Sequence, residues 1–193
     1  MHHPLLIIIR GLPGSGKTYI AERLQKALQE RHGNNSIVML DPDATDYQSQ
    51  AYLDHVQQQV KEKVDPALHP YRFLRAQAYD GITSNKIILW NQPFTNLNSF
   101  QKVTTRLQEY AQEHKAEMPV LVVEVEIDPA KAKTRVDERK QAGVHGPSDT
   151  TFDRFVGDYK SFASNGYDTV TVYGDHDANE SVSTVFEIVE KMI

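Results

Sequence analysis

One short stretch decides the fold of this chain: Gly11-Leu12-Pro13-Gly14-Ser15-Gly16-Lys17-Thr18, which matches the pattern GxxxxGK[ST]. The stretch follows the apolar run Leu5–Ile9 and precedes a segment in which Ile20, Leu24 and Leu28 recur at helical spacing. A strand, a glycine-rich loop and a helix in this order form the context that a phosphate-binding P-loop requires. The sequence therefore predicts such a unit at the start of the domain.

Each part of the loop suits a nucleoside triphosphate. Glycines let the backbone curl so that N–H groups point at phosphate oxygens, and the following helix adds a positive end. Lys17 supplies an ammonium group for the β- and γ-phosphates, and Thr18 supplies a hydroxyl for Mg²⁺. An incidental glycine-rich turn is the alternative, and the position between strand and helix argues against it. We predict that ATP and Mg²⁺ are the cofactors and that the nucleotide-binding residues are Gly11, Leu12, Pro13, Gly14, Ser15, Gly16, Lys17, Thr18 and Tyr19.

Short apolar runs alternate with longer helical patterns along the rest of the chain. The runs are Leu5–Ile9, Ile37–Leu40, Ile87–Trp90, Val120–Ile127 and Thr169–Tyr173. Strands that alternate with helices predict βαβ units and a mostly parallel sheet, which is an α/β fold. Asp128-Pro129 and Asp177 are typical of helix N-termini.

Two segments depart from the simplest alternation. Between the second and third strands, an excursion over about residues 44–86 contains two helical patterns, one over about 45–64 and one that begins near Pro70. After a charged segment over about 131–148, five apolar residues recur at helical spacing. We interpret this stripe as core packing and not as a base-stacking surface; its members are Phe152, Phe155, Val156, Tyr159 and Phe162.

Length and composition bound the class of protein. With 193 residues, we expect one domain over 1–193. The chain has 21 Lys and Arg residues, 26 Asp and Glu residues and a net charge of −5, which argues against a general nucleic-acid coat or an anionic-membrane binder. The absence of cysteine excludes disulfides, thiol nucleophiles and thiolate metal sites. We find no bilayer-spanning run and no room for a signal peptide before the first motif, and therefore expect a cytoplasmic protein.

An acidic pair follows the second predicted strand. In a doubly wound sheet the carboxyl ends of the strands line the ligand crevice, so Asp41 and Asp43 would lie beside the P-loop. We predict that Asp43 is the general base for an acceptor hydroxyl and that Asp41 joins Thr18 at Mg²⁺. The alternative is ordinary turn chemistry, because Asp-Pro-Asp also suits a turn before a helix.

Two groups of basic residues are candidates to bind the transferring phosphoryl group and the acceptor. Arg135 and Arg139 are i,i+4 neighbours on the charged helix, and we interpret them as lid arginines that stabilise the phosphoryl group, with His145 a weaker candidate in the glycine-bearing loop. A solvated helix face is the alternative. Arg72 and Arg75 suit an acidic acceptor, or are ordinary surface residues.

Taken together, the P-loop, the acidic pair and the Arg-x₃-Arg-Lys segment at 135–140 resemble the P-loop kinases of the polynucleotide-kinase and zeta-toxin type. The resemblance implies a parallel sheet of order 2-3-1-4-5 and Mg-ATP as donor, and it maps the catalytic aspartate onto Asp43. One departure concerns the end of the third strand, where such kinases carry an acidic residue and this chain has Asn91. Asp41, Asp43 or Glu124 are the candidates to compensate.

The leading hypothesis is a kinase that transfers the γ-phosphate of ATP to a hydroxyl of a small molecule, a nucleotide or a nucleic-acid 5′ end. The acidic net charge favours a small acceptor over a polynucleotide. An ATP-binding switch or partner-binding protein is the alternative, because Asn91 supplies no charge to a metal. Simple hydrolysis of the nucleotide is the third hypothesis, although no dedicated water-positioning glutamine is recognisable.

Overall fold

The apolar runs form a parallel sheet in a computed structural model that describes residues 3–143 and 146–193. The strands are β1 (Leu5–Arg10), β2 (Ile37–Leu40), β3 (Ile87–Asn91), β4 (Val120–Glu126) and β5 (Asp168–Tyr173). Their order across the sheet is β2-β3-β1-β4-β5, and every pairing is parallel. The predicted α/β fold and its strand order are confirmed, and each predicted strand agrees with the structure to within one residue at either end.

Helices occupy the segments between the strands. Within the described residues they are α1 (Lys17–His32), α2 (Gln50–Lys61), α3 (His69–Thr83), α4 (Leu97–Glu113), α5 (Pro129–Gln141), α6 (Asp149–Asp158) and α7 (Ala178–Met192). Asp128 caps α5 by accepting from the backbone N–H of Ala130, and Asp177 caps α7 by accepting from Asn179. No helix in the described part of the chain combines the length and the apolar character needed to cross a membrane.

The core lies on both faces of the sheet because side chains of β1 alternate between them. Leu5, Ile7 and Ile9 belong to the core on the side of α1 and α7. Leu6 and Ile8 face the opposite side, where they pack with residues of α3 and α4. All five are fully buried, as expected for a parallel strand covered by helices on both faces. This arrangement leaves the carboxyl ends of the strands as the open edge of the sheet.

Two helical expectations are corrected by the structure. The helix predicted over about 45–64 is shorter, because the preceding residues form turns in which the Thr45 hydroxyl donates to the carbonyl of Asp41. Ser49 then caps α2. The aromatic stripe is not one helical face, because α6 ends at Asp158 and the chain turns at Tyr159 into an extended conformation.

The prediction that the aromatic stripe packs in the core is confirmed for only some of its residues. Phe152 is buried with Ala132 of α5 in a small separate cluster, and Phe162 is buried in the main core beside α4. Phe155 instead lines the cleft at the open edge of the sheet, and Tyr159 is half-buried. The helical spacing of apolar residues therefore continues to Phe162, although the helix itself ends at Asp158.

Candidate functional site

The P-loop occupies the space between β1 and α1, as its sequence requires. Gly14 and Gly16 have positive φ angles of 84° and 91°, which only glycine adopts without strain. The N–H of Ser15 donates to the carbonyl of Leu12 at 3.0 Å, which closes the loop before α1 begins at Lys17. The loop thus brings the amino-terminal end of α1 to the carboxyl edge of the sheet, where it favours an anion.

Lys17 is half-buried among charged neighbours. Burial lowers the pKa of its ammonium group below the usual lysine range, and the positive charge of Arg139 acts in the same direction. The negative charges of Asp43 and Asp41 oppose this shift, because they favour the protonated form. Lys17 therefore lies within electrostatic reach of the predicted base Asp43, the predicted metal ligand Asp41 and the predicted lid arginine Arg139.

Asn91 connects Thr18 with Asp41 at the ends of β2 and β3. Its side-chain N–H₂ donates to Oδ2 of Asp41 at 2.6 Å and to Oγ1 of Thr18 at 3.1 Å. Its own Oδ1 is buried without a hydrogen-bond partner. A hydroxyl, a carboxylate and an unpartnered amide oxygen are oxygen donors of the kind that Mg²⁺ takes, directly or through water.

These donors fit Mg²⁺ held together with substrate phosphates. Mg²⁺ keeps several waters and is usually bound by one or two carboxylates plus phosphate oxygens, not by a cage of protein ligands. Within the described residues, no group of three or more His, Cys, Asp or Glu side chains could hold a metal by itself. The residues Thr18 and Asp41 therefore suit a metal that arrives with the nucleotide.

Asp41 also shapes the turn that presents Asp43. Oδ1 of Asp41 accepts from the backbone N–H of Asp43 at 2.8 Å, and the carbonyl of Asp41 accepts from the N–H of Ala44 at 3.2 Å. Asp41 is buried by this turn, whereas Asp43 is exposed. The turn chemistry and the proposed catalytic role are thus compatible, because the first aspartate builds the turn that exposes the second.

Glu124 is not the carboxylate that compensates for Asn91. It is fully buried in β4 and forms an ion pair with Arg10, its register partner in β1. Its two oxygens also accept from the backbone N–H of Phe162 at 2.7 Å and from the hydroxyl of Ser161 at 2.6 Å. Because these donors occupy the carboxylate, Asp41 and Asp43 are the remaining acidic residues at the loop.

Helix α5 packs directly against the P-loop. A Cβ atom added to Gly14 would lie 2.3 Å from the carbonyl oxygen of Ala132, so only a glycine permits this approach. Nη1 of Arg135 donates to the carbonyl of Gly14 at 3.3 Å and to that of Gly174, which follows β5, at 3.0 Å. Arg139, one turn later, lines the cleft.

All three lysines of α5 form ion pairs, Lys131 with Asp175 after β5 and the other two with Asp149. Nζ of Lys133 lies 2.9 Å from Oδ1 of Asp149 at the start of α6, and Nζ of Lys140 lies 3.4 Å from the same atom. The predicted lid residue His145 lies outside the described residues. Arg139 is therefore the cation of α5 that lines the cleft without an ion-pair partner among residues 3–143 and 146–193.

One cleft of about 1190 Å³ lies along the carboxyl edge of the sheet. Lys17 and Thr18 of the P-loop, Asp43 and Arg139 all line it. Helix α3 of the excursion and helix α4 form its opposite side. The lining residues on that side include Tyr71, Arg72, Arg75, Val103 and Arg106.

The arrangement is that of a known domain family. A family model described as an AAA domain matches residues 6–159, most of the 193-residue chain. The chain belongs to this family. It is a family of P-loop NTPase domains, so nucleotide binding through the P-loop follows from membership. A search of curated protein sequences gives no significant match.

Solved structures share the fold of this AAA domain. A putative kinase from Chloroflexus aurantiacus j-10-fl has a TM-score of 0.64 and 14% identity, over 97% of this chain and 98% of that chain. Kti12 of Chaetomium thermophilum, solved with ADP-AlF3, has a TM-score of 0.61 and 21% identity over 97% and 98%. A gluconokinase from Sinorhizobium meliloti 1021 has a TM-score of 0.55 and 12% identity over 100% and 99%. At these identities the likeness concerns the fold.

The AAA domain brings together most, but not all, of the predicted site residues. Those that line the cleft are Pro13, Gly14, Lys17, Thr18, Asp43, Arg72, Arg75 and Arg139. Those that do not are Gly11, Leu12, Ser15, Gly16, Tyr19, Asp41 and Arg135. Tyr19 is exposed at the start of α1, where the guanidinium group of Arg23 lies 4.4 Å from the centre of its ring.

Two residues of the site escaped the sequence-based reasoning. Arg106 lines the cleft from α4, and its position depends on how α4 packs beside α3. Gly174 follows β5 and contacts the P-loop so closely that an added Cβ would lie 1.7 Å from the carbonyl oxygen of Ser15. For Gly174 the sequence did contain a signal. A glycine directly after a parallel strand lies where the carboxyl ends of the strands line the ligand crevice.

Proposed function

We propose that this AAA domain is an ATP-dependent kinase that transfers the γ-phosphate of ATP to a hydroxyl of a small molecule, a nucleotide or a nucleic-acid 5′ end. The observation that carries this proposal is the exposure of Asp43 in the same cleft as Lys17 and Thr18. A carboxylate at that place serves an acceptor hydroxyl. The likeness in fold to a putative kinase and a gluconokinase supports the same class.

In the proposed reaction, the acceptor oxygen attacks the γ-phosphorus while its proton passes to the carboxylate of Asp43. The bond from the γ-phosphorus to the bridging oxygen breaks, and ADP leaves. Lys17 and Arg139 stabilise the charge on the transferring group, because both are cations that line the cleft. Thr18 and Asp41 would hold Mg²⁺, which neutralises charge on the nucleotide phosphates.

The proposal assigns parts of the single domain to separate tasks. The P-loop binds the donor, the excursion over about 44–86 borders the acceptor, and the segment over about 131–148 acts as the lid. Contacts of α5 with the P-loop support the lid assignment, since the Gly14 carbonyl accepts from Arg135. Because the net charge of the chain is −5, a small acceptor is favoured over a long nucleic acid.

Asn91 favours a second function, an ATP-binding switch or a simple hydrolase with slow turnover. The amide at the end of β3 is neutral, so it adds no negative charge at the position where the metal would lie. A protein of this kind would bind Mg-ATP and change its stability or its partners without phosphorylating an acceptor.

The test separates binding from transfer. Wild-type protein is incubated with Mg²⁺, γ-labelled ATP and a panel of metabolites and oligonucleotides, and calorimetry measures Mg-ATP binding. Asp43→Asn should keep the affinity for Mg-ATP and lower label transfer by about 10²–10⁴-fold. The matched control is Asp54→Asn, an exposed aspartate of α2 that is hydrogen-bonded to Gln50 outside the cleft.

Each outcome decides between the functions. Label on an acceptor in wild type and in Asp54→Asn, but not in Asp43→Asn, supports the kinase and its base. Retained transfer in Asp43→Asn overturns the assignment of the base. If Mg-ATP binds and no acceptor takes label, the protein is a switch or a hydrolase. If neither Mg-ATP nor Mg-GTP binds to folded protein, the nucleotide site itself is wrong.

A further inference from the structure

The cleft is positively charged although the chain as a whole is acidic. The net charge is −5, yet within residues 3–143 and 146–193 the charged residues that line the cleft are one acid and five bases. The acid is Asp43, and the bases are Lys17, Arg72, Arg75, Arg106 and Arg139. A cleft lined mainly by one sign of charge raises the local concentration of ligands of the opposite sign. Its ligands are therefore anions.

A nucleotide accounts for only part of this positive charge. Lys17 belongs to the P-loop, and Arg139 lies close enough to it to lower its pKa. These two cations suit the triphosphate. The other three arginines come from α3 and α4, which pack against each other on the opposite side of the cleft. They are available to a second ligand.

Two of these three arginines have no hydrogen-bond or ion-pair partner in the described part of the chain. Nη1 of Arg72 donates to Oε1 of Gln59 at 3.0 Å and lies 3.9 Å from Oε2 of Glu62, so it helps to hold α2 on α3. Within residues 3–143 and 146–193, neither Arg75 nor Arg106 has a hydrogen-bond or ion-pair partner, although Arg75 is half-buried. A half-buried guanidinium group without an acid favours an external anion.

Apolar surface accompanies both unpaired cations. Tyr71 lies four residues before Arg75 on α3, and Val103 lies three residues before Arg106 on α4, so each pair shares a helix face. All four residues line the cleft, and Tyr71 is 54% exposed. A ligand here meets two planar donor groups beside apolar surface, and guanidinium groups bind phosphate or carboxylate through paired N–H donors.

We propose that Arg75 and Arg106 bind an anionic group of the acceptor, and that the acceptor is a small hydroxyl compound bearing a phosphate or a carboxylate remote from the reacting hydroxyl. This inference rests on the proposed kinase function, since it concerns the substrate of that site. Arg72 is a positioning residue, because its contacts hold α2 and α3 together.

The experiment measures acceptor binding separately from transfer. The full chain is saturated with Mg²⁺ and a non-hydrolysable ATP analogue, and sugar phosphates, sugar acids and nucleoside monophosphates are titrated at up to millimolar concentration, each beside its neutral parent compound. At least one anionic compound should bind more tightly than its parent by about tenfold or more. Phosphates and carboxylates are separate arms, so the preferred anion is identified.

Variants then test whether Arg75 and Arg106 cause the preference for the anionic compound over its neutral parent. In the double variant Arg75→Gln/Arg106→Gln, the preference for the anionic member of the pair should fall to about threefold or less, whereas the affinity for the ATP analogue stays unchanged. Lys102→Gln is the matched control, because Lys102 is an exposed cation of α4 that does not line the cleft. It should keep the full preference.

The outcomes separate this inference from the kinase proposal. If anionic compounds bind through Arg75 and Arg106 but never take label from γ-labelled ATP, the anion site stands and the kinase proposal fails. If neutral parents bind and are phosphorylated as well as the anionic compounds, the kinase stands and this inference is overturned. The inference is also overturned if no anionic compound binds, or if the double variant keeps the preference.

Discussion

The side-chain nitrogen of Asn91 lies 2.6 Å from Oδ2 of Asp41, at the adjacent carboxyl ends of β3 and β2. Both residues are buried, so this hydrogen bond links two strands beneath the P-loop. The same nitrogen reaches Thr18 at 3.1 Å. The residue that faces Asp41 is thus a neutral amide and not a second carboxylate. It donates hydrogen bonds to Thr18 and Asp41, the two residues that suit a metal.

Replacing this donor by an acid tests the assignment of the metal position. In Asn91→Asp, a hydrogen bond is lost and two buried carboxylates face each other, so without Mg²⁺ the free energy of unfolding should fall by about 1–3 kcal/mol. Mg²⁺ with ATP should restore more stability to this variant than it adds to wild type, because the cation relieves the repulsion. Thermal unfolding with and without Mg-ATP measures both effects.

Asn85→Asp is the control for this experiment. Asn85 is exposed just before β3, at the opposite end of the strand, and the substitution makes the same change of charge. Its stability should change by no more than about 0.5 kcal/mol. Equal responses of the two variants to Mg-ATP would contradict a metal position beside Asn91.

The lowered pKa of the half-buried Lys17 predicts a pH-dependent difference in stability. Burial lowers its pKa in the folded protein, so the folded state carries a cost for the charge that the unfolded chain avoids. This cost is complete below the lowered pKa and disappears as the pH rises toward about 10.4, the pKa of an unfolded-chain lysine. Lys17→Met removes the cost, so without nucleotide the variant should unfold at a higher temperature than wild type at pH 7.

Thermal unfolding from pH 7 to 10.5 measures this difference. The gap between Lys17→Met and wild type should narrow with rising pH, and each 1 kcal/mol corresponds to about 2–4 °C in a chain of this size. Mg-ATP should raise the Tm of wild type but not of Lys17→Met. Lys26→Met, at an exposed position on α1, should keep the Tm of wild type across this pH range and should gain the same stabilisation from Mg-ATP as wild type does. A gap that widens with pH would contradict a lowered pKa for Lys17.

Features encoded locally were predictable from the sequence. The apolar runs give the strands directly, because each strand of a parallel sheet is buried on both faces. The P-loop was predictable because its glycines, Lys17 and Thr18 are adjacent in the chain. The turn at Asp41 and Asp43 was recognisable for the same reason, although its two roles appeared as alternatives until the hydrogen bond between them was seen.

Features that depend on tertiary packing were not predictable in this way. Glu124 was a candidate to compensate for Asn91 until the order of the sheet placed it beside Arg10. Arg106 joins the cleft only because α4 packs beside α3, so nothing adjacent to it in sequence indicates a site. The aromatic stripe kept a helical period after Asp158, but the helix ended there.

The close approach of Gly174 to the P-loop predicts a steric effect on nucleotide binding. A Cβ atom in Gly174→Ala would lie 1.7 Å from the carbonyl oxygen of Ser15, so the P-loop backbone must shift. Overpacking of this kind costs about 1–3 kcal/mol, and affinity for Mg-ATP should fall with it. Gly157→Ala is the control, since its Cβ meets nothing within 4 Å. If both variants bind Mg-ATP as wild type does in calorimetry, the contact is not important for the loop.

The two arginines of α5 should have separable effects. Nη1 of Arg135 donates to the carbonyls of Gly14 and Gly174, so Arg135→Met should reduce stability by about 1–3 kcal/mol and weaken Mg-ATP binding. Arg139 lines the cleft, so Arg139→Met should leave stability and Mg-ATP affinity nearly unchanged but lower the rate of transfer by about 10²–10³-fold. Unfolding, calorimetry and single-turnover transfer, measured on both variants, make each the control for the other. An unchanged transfer rate in Arg139→Met would show that α5 only supports the P-loop, because its three lysines are already paired with Asp149 or Asp175.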